Sequence, residues 1–254
     1  MMPSLVLTEA ADRIGTVTLN RPEARNALSS GLLDELAAAM AAFEADADVD
    51  VVVLTGADPA FCAGLDLKEL GGAGADLAGR PRPWAPLTKP LIGAVNGVAI
   101  TGGFELALQC DLLVASERAR FADTHARVGV MPGWGLSVLL PQAVGVRKAR
   151  ELSLTGNFLT AEEAYEWGLV NHVVAHDELL AFTRRLAADM VGNDQAGVRQ
   201  MLATYAATSA TTVEDAWRRE AEMGRQWFKA RFDPALVEAR RRGIMERGRG
   251  QAAT

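Results

Sequence analysis

Apolar and polar residues alternate through 4–9 and again through Arg13-Ile14-Gly15-Thr16-Val17-Thr18-Leu19-Asn20, which predicts a β-hairpin around a short turn. An Ala- and Leu-rich stretch follows, and Ser29 or Ser30 can cap it as a helix reaching about Glu44. The pattern then changes. Asp50-Val51-Val52-Val53-Leu54-Thr55-Gly56 is a continuous apolar run of strand length, as expected for a strand covered on both faces. Leu91-Ile92-Gly93-Ala94-Val95 and Leu112-Leu113-Val114 repeat it, so strands alternate with helices and the class is α/β. After about residue 177 helical periodicity takes over, at 178–191, 194–206, 213–230 and 234–247. No internal repeat is visible in the sequence itself. One stretch fits neither pattern: Gly and Pro crowd residues 71–86, which reads either as a lid beside a site or as a surface excursion.

Composition narrows the classes. The chain has 254 residues, 49% of them hydrophobic and 23% charged, which suits a folded domain rather than a disordered segment. No leader pattern opens it and no apolar run approaches the length of a membrane span, so a cytoplasmic protein with no membrane partner is expected. Cys62 and Cys110 are too few and too far apart for a disulfide framework or a thiolate zinc site. His172 and His176 form an HxxxH pair without the glutamate of HExxH and read as surface loop residues; no metal is expected. The formal net charge is -6, yet residues 218–254 hold 10 basic and 5 acidic residues. That tail is either a solvated Arg-rich helix or an arm that binds an anion.

Two glycine turns carry the candidate chemistry. Phe61-Cys62-Ala63-Gly64-Leu65-Asp66-Leu67-Lys68-Glu69-Leu70 and Ala94-Val95-Asn96-Gly97-Val98-Ala99-Ile100-Thr101-Gly102-Gly103-Phe104-Glu105-Leu106-Ala107 each follow a predicted strand. In the second, the Gly pair directly precedes a helix expected at Phe104 to about Cys110. Free N–H groups and the helix dipole would there form half of an oxyanion hole. Neither turn matches GxGxxG or a P-loop, and glycines needed only for tight packing explain the spacing equally well.

Taken with Asn20-Arg21-Pro22-Glu23-Ala24-Arg25-Asn26-Ala27-Leu28, Gly129–Gly135 and the stretch from Leu154-Thr155-Gly156 to Gly168-Leu169-Val170, the two turns resemble the enoyl-CoA hydratase/isomerase (crotonase) superfamily. The five blocks are in the family's order and cover nearly the whole chain outside 71–86. The resemblance implies a spiral of repeated ββα units, here 1–192, followed by a C-terminal helical region, 193–254, that builds trimers or dimers of trimers and caps CoA. It implies no separate cofactor, coenzyme A being part of an acyl-CoA thioester substrate. The backbone N–H groups of Leu65 and Gly102 are implied to bind the thioester oxygen and stabilise an enolate. Such donors are fixed before the reaction, and losing one typically costs about 3 kcal/mol of barrier.

The resemblance further implies a catalytic role for Glu105, which by position alone is equally an N-terminal carboxylate favoured by the helix dipole. The family's second catalytic glutamate is absent: the matching position in Arg120-Phe121-Ala122-Asp123-Thr124-His125 holds His125. An imidazole titrates near neutrality and an ionised Glu105 beside it would raise its pKa, so a Glu–His pair can serve hydration, whereas isomerisation is disfavoured. A merely hydrogen-bonded, buried His125 is the alternative, and Asp123 is an additional acid/base or an orienting group. Trp134 stands where the family has a small residue and, with Trp84, is expected in the acyl pocket; a core aromatic is the competing reading. Arg25, Ala27, Ala63 and Asp66 are implied to hold CoA through the backbone, with Lys68 near the phosphates. Ile244 and Arg247 would make the tail a cover for CoA rather than a nucleic-acid arm. The expected function is an acyl-CoA lyase that hydrates trans-2-enoyl-CoA. Another reaction of the family (isomerase, thioester hydrolase or decarboxylase) and acyl-CoA binding without catalysis are the alternatives.

Overall fold

A computed structural model describes residues 4–66, 69, 82–209 and 211–231. Lys68, most of the Gly/Pro stretch, the helix expected at 234–247, Ile244 and Arg247 lie outside the described residues. The chain divides into two compact units, residues 1–199 and residues 200–254.

The first unit carries two sheets. Strands β1 (Val6–Ala11) and β2 (Ile14–Leu19) form the expected hairpin, and β3 (Val51–Gly56), β5 (Leu91–Val95), β7 (Leu112–Ser116) and β10 (His172–Val174) continue the larger sheet in the order β1-β2-β3-β5-β7-β10. Apart from the hairpin its pairings are parallel. The smaller sheet, order β4-β6-β8-β9, is built from β4 (Ala60–Cys62), β6 (Val98–Ile100), β8 (Arg120–Ala122) and β9 (Leu159–Thr160). Successive turns of chain therefore give one strand to each sheet, β3 and β4, then β5 and β6, then β7 and β8, which is the ββα spiral that the resemblance implied. The short strands of the smaller sheet left no run long enough to read in the sequence.

The apolar run Val51–Leu54 is explained by two cores. Val52 and Leu54 join a cluster with Leu33, Leu36 and Met40 of the helix Ser30–Ala45, while Val51 and Val53 join another with Leu179 and Ala187 of the helix Leu179–Val191. Alternate side chains of a strand point to opposite faces, so a strand with a core on each face is apolar throughout. Ser29 caps the first of these helices by accepting the Leu32 N–H at 3.2 Å, a contact typically worth about 1 kcal/mol.

In the second unit the helix Val213–Arg231 exposes Trp217 and Phe228. Among the described residues no helix is long and apolar enough to cross a membrane.

Candidate active site

Parallel pairing of β4 with β6 sends the two glycine turns out side by side. They meet closely because neither has a side chain at the junction. A Cβ on Gly103 would come within 2.1 Å of the Cys62 carbonyl oxygen, and one on Gly64 within 2.7 Å of the Ile100 carbonyl oxygen. Gly64 also has φ +90, which other residues rarely adopt. The result sets the Leu65 nitrogen 3.6 Å from the point where a Gly102 Cβ would stand. Among the described residues neither the Leu65 nor the Gly102 N–H donates to a protein acceptor. The helix begins at Gly102 and runs to Leu108, earlier than expected, so the Gly102 N–H belongs to its unpaired first turn. Thr101, just before it, has φ 54 and ψ −112, a strained conformation for a β-branched residue. Its hydroxyl lies 2.5 Å from that of Thr124, tying this turn to the segment after β8.

The first loop is braced from the other side. The Ala63 N–H donates to the Arg25 carbonyl at 3.0 Å, Leu28 N–H to Gly64 at 2.8 Å, and Asp66 N–H to Leu28 at 3.0 Å. Arg21 joins both strands of this double loop, donating to the Ala27 carbonyl at 3.0 Å and to the Asp66 carboxylate at 2.7 Å. Arg25, Ala27, Ala63 and Asp66 are thus brought together. Asn26, which the sequence reading passed over, holds the loop's base: fully buried at φ 56, it donates to the carbonyls of Ala57 and Ala60 at 2.9 and 2.7 Å. A buried asparagine at positive φ beside a Pro turn is a backbone-bracing device that only its surroundings reveal.

Behind the glycine junction lies a buried polar group of three side chains. Glu105, His125 and Asp123 are 3%, 4% and 2% exposed. Glu105 Oε1 accepts the Trp134 N–H at 2.7 Å and the Leu136 N–H at 3.4 Å, which turns Oε2 toward His125 Nε2, 3.5 Å away. The other ring nitrogen, Nδ1, is 2.6 Å from Asp123 Oδ1, which also accepts the His125 backbone N–H at 3.1 Å. Burial alone pushes the imidazole down, but the hydrogen bonds and charges of Asp123 and Glu105 outweigh it and raise the pKa to about 9. Burial would raise the Asp123 carboxyl, yet its bonds from His125 and Ser153 hold it below the usual range.

Trp134 joins the two halves. Its N–H holds Glu105, its carbonyl accepts from Gln109 Nε2 at 2.7 Å, and its ring atom Cζ3 lies 3.6 Å from the Cβ position of Gly102. Trp84 is likewise buried in the larger core cluster. His172 lies in β10 against the Phe182 ring rather than in a loop, and His176 contacts Ser116 at 3.0 Å and Asp58 at 3.2 Å. The loop reading of His172 is therefore corrected; a three-residue strand is too short to carry alternation. Among the described residues no group of His, Cys, Asp or Glu is disposed to hold a metal. Burial pushes the Cys62 thiol up to about 12, which leaves it unreactive near neutrality.

Comparison with known proteins identifies relatives of the same fold. The family Enoyl-CoA hydratase/isomerase matches residues 9–236. The chain is 44% identical over 187 residues to a probable peroxisomal enoyl-CoA hydratase of Arabidopsis thaliana, covering 72% of this chain and 71% of that protein. It is 39% identical over 227 residues to a probable mitochondrial enoyl-CoA hydratase of Dictyostelium discoideum, covering 87% and 82%. A crystal structure of an enoyl-CoA hydratase from Mycobacterium tuberculosis superposes with TM-score 0.78 at 55% identity, over 87% of this chain and 98% of that one.

Proposed function

The chain belongs to the enoyl-CoA hydratase/isomerase family, and from that premise we propose that it adds water reversibly to a trans-2-enoyl-CoA, giving a 3-hydroxyacyl-CoA. The observation that carries this reading is the buried contact of 3.5 Å between His125 and Glu105, the latter on the helix that Gly102 begins. Relatives named as enoyl-CoA hydratases support it.

The Leu65 and Gly102 N–H groups receive the thioester oxygen. Glu105 takes a proton from water as the water oxygen bonds to C3. The C2=C3 electron pair moves into an enolate, whose charge the two N–H groups meet without reorganising. His125, standing at the position of the family's second carboxylate, gives its Nε2 proton to C2 as the enolate collapses. The proton left on Glu105 then returns to His125, and one water has been added. General acid and base groups of this kind contribute roughly 10²–10⁴-fold.

In the same reading, the backbone of the 25–27 and 63–66 double loop holds CoA. Trp134 forms the wall of the acyl pocket nearest Gly102, and Trp84 contributes further along. The exposed Trp217 and Phe228 support burial of the C-terminal helices in a homotrimer or a dimer of trimers. Cys62 and Cys110, both free thiols, suit the cytoplasm.

The test is loss of the conjugated enoyl thioester's absorbance when crotonyl-CoA or longer enoyl-CoAs are added to purified protein. Hydroxyacyl-CoA as the product by mass spectrometry is expected. Absence of any change across chain lengths, a shifted double bond, free CoA or loss of carbon dioxide would sink the reading.

A further inference from the structure

Resting on that reading, the structure assigns Asp123 as a positioning residue that keeps His125 doubly protonated between two carboxylates, so that the resting site is ready for water addition. Both ring nitrogens face a carboxylate oxygen, Nδ1 at 2.6 Å from Asp123 and Nε2 at 3.5 Å from Glu105. A neutral imidazole has one N–H and one lone pair. In that form it would turn a lone pair toward one of the two carboxylates, with all three side chains at most 5% exposed. The imidazolium satisfies both.

Asp123 is itself fixed by two donors from one residue, the His125 ring and the His125 backbone N–H. The surrounding elements supply few other charges to this ring. Glu105 comes from the helix Gly102–Leu108, while Arg147, Arg150 and Glu151 of the helix Val146–Thr155 are exposed. Arg127, on the ring's own turn, is drawn away to the Thr155 carbonyl at 2.9 Å and Asn157 at 3.2 Å.

Hydration needs the proton on the ring. A charged Asp123 holds it there; a neutral group at 123 would let the ring lose that proton at lower pH, leaving no donor for C2. Asp123 thus acts through His125 and is not itself a catalytic residue.

The experiment is an imidazole-nitrogen NMR titration of the full chain, with His125 assigned by its loss in His125→Gln, alongside the pH profile of kcat/KM for crotonyl-CoA. Wild-type His125 is expected to remain doubly protonated at neutral pH and to titrate at about 9. Asp123→Asn, which keeps an acceptor but not the charge, is expected to lower that titration by on the order of one pH unit or more. The alkaline limb of kcat/KM should move with it. An unmoved titration in Asp123→Asn overturns the assignment. If that variant does not fold, the wild type decides alone, and titration at or below the ordinary 6.5 overturns it. A high-titrating His125 in a chain that hydrates no thioester supports Asp123's role and defeats the hydration reading instead.

Discussion

Two clusters of buried charge can be set side by side, and they do opposite things. At the end of the helix Ser30–Ala45, Asp50 is gripped by Arg13 at 2.5 and 2.9 Å, and the buried Lys89 ammonium donates to the Phe43 and Asp46 carbonyls at 2.5 and 2.6 Å. Burial depresses the Lys89 pKa, but its acceptors are fixed carbonyls with no proton to exchange. This cluster closes off a helix end. At Glu105, His125 and Asp123, by contrast, two carboxylates face one titrating ring beside N–H groups that no protein acceptor takes up among the described residues. Burial of charge does not by itself mark the proposed site; a titrating ring next to unspent donors does.

Substitutions sharpen the contrast by separating rate from stability. The largest effect on rate is expected for Glu105→Gln, which should lower kcat for crotonyl-CoA by roughly 10³-fold, far more than its loss of a partner for the His125 ring changes the urea midpoint. Gly103→Ala comes next. Its methyl would stand 2.1 Å from the Cys62 carbonyl oxygen, so the two turns must part, and a fall of roughly 10²-fold in kcat should accompany a loss of stability.

Lys89→Met tests the other cluster. Two buried carbonyls lose their donor, and an equilibrium unfolding measurement should show about 2 kcal/mol of destabilisation with kcat/KM unchanged. A changed pH–rate profile in this variant would break the distinction between the clusters.

His125 also links the site to stability. Its folded pKa, about 9, lies above the ordinary 6.5, so the stabilisation it contributes is complete below 6.5 and is lost as pH rises through about 9. The urea midpoint of the wild type should fall across that window, and that part of the fall should vanish in His125→Gln. The smallest effect is expected for Thr124→Val, which removes the partner of the Thr101 hydroxyl and costs about 1 kcal/mol with a few-fold loss of kcat.

The sequence carried the long elements well and the polar contacts poorly. Val51–Leu54 announced a doubly covered strand because every side chain meets a core, and the Ser29-Ser30 pair announced the start of its helix, the structure assigning the cap to Ser29. The two glycine turns stood out, and at Gly64 and Gly103 close backbone approach leaves no room for a side chain. The smaller sheet stayed hidden, since strands of two or three residues have no period to read. The Asp123–His125 contact was also beyond reach: two residues apart in a turn, they meet or diverge according to side-chain torsions that sequence does not specify. Asn26 and Arg21 were invisible as braces because their acceptors come from distant segments.

The decisive number is the initial rate of crotonyl-CoA hydration by His125→Gln relative to wild type at neutral pH. With His125 as the donor of the C2 proton, that rate should fall by roughly 10²-fold or more, and His125→Glu, which restores a protonatable carboxyl, should recover part of it. A His125→Gln enzyme as fast as the wild type would contradict the proton path through Glu105 and His125.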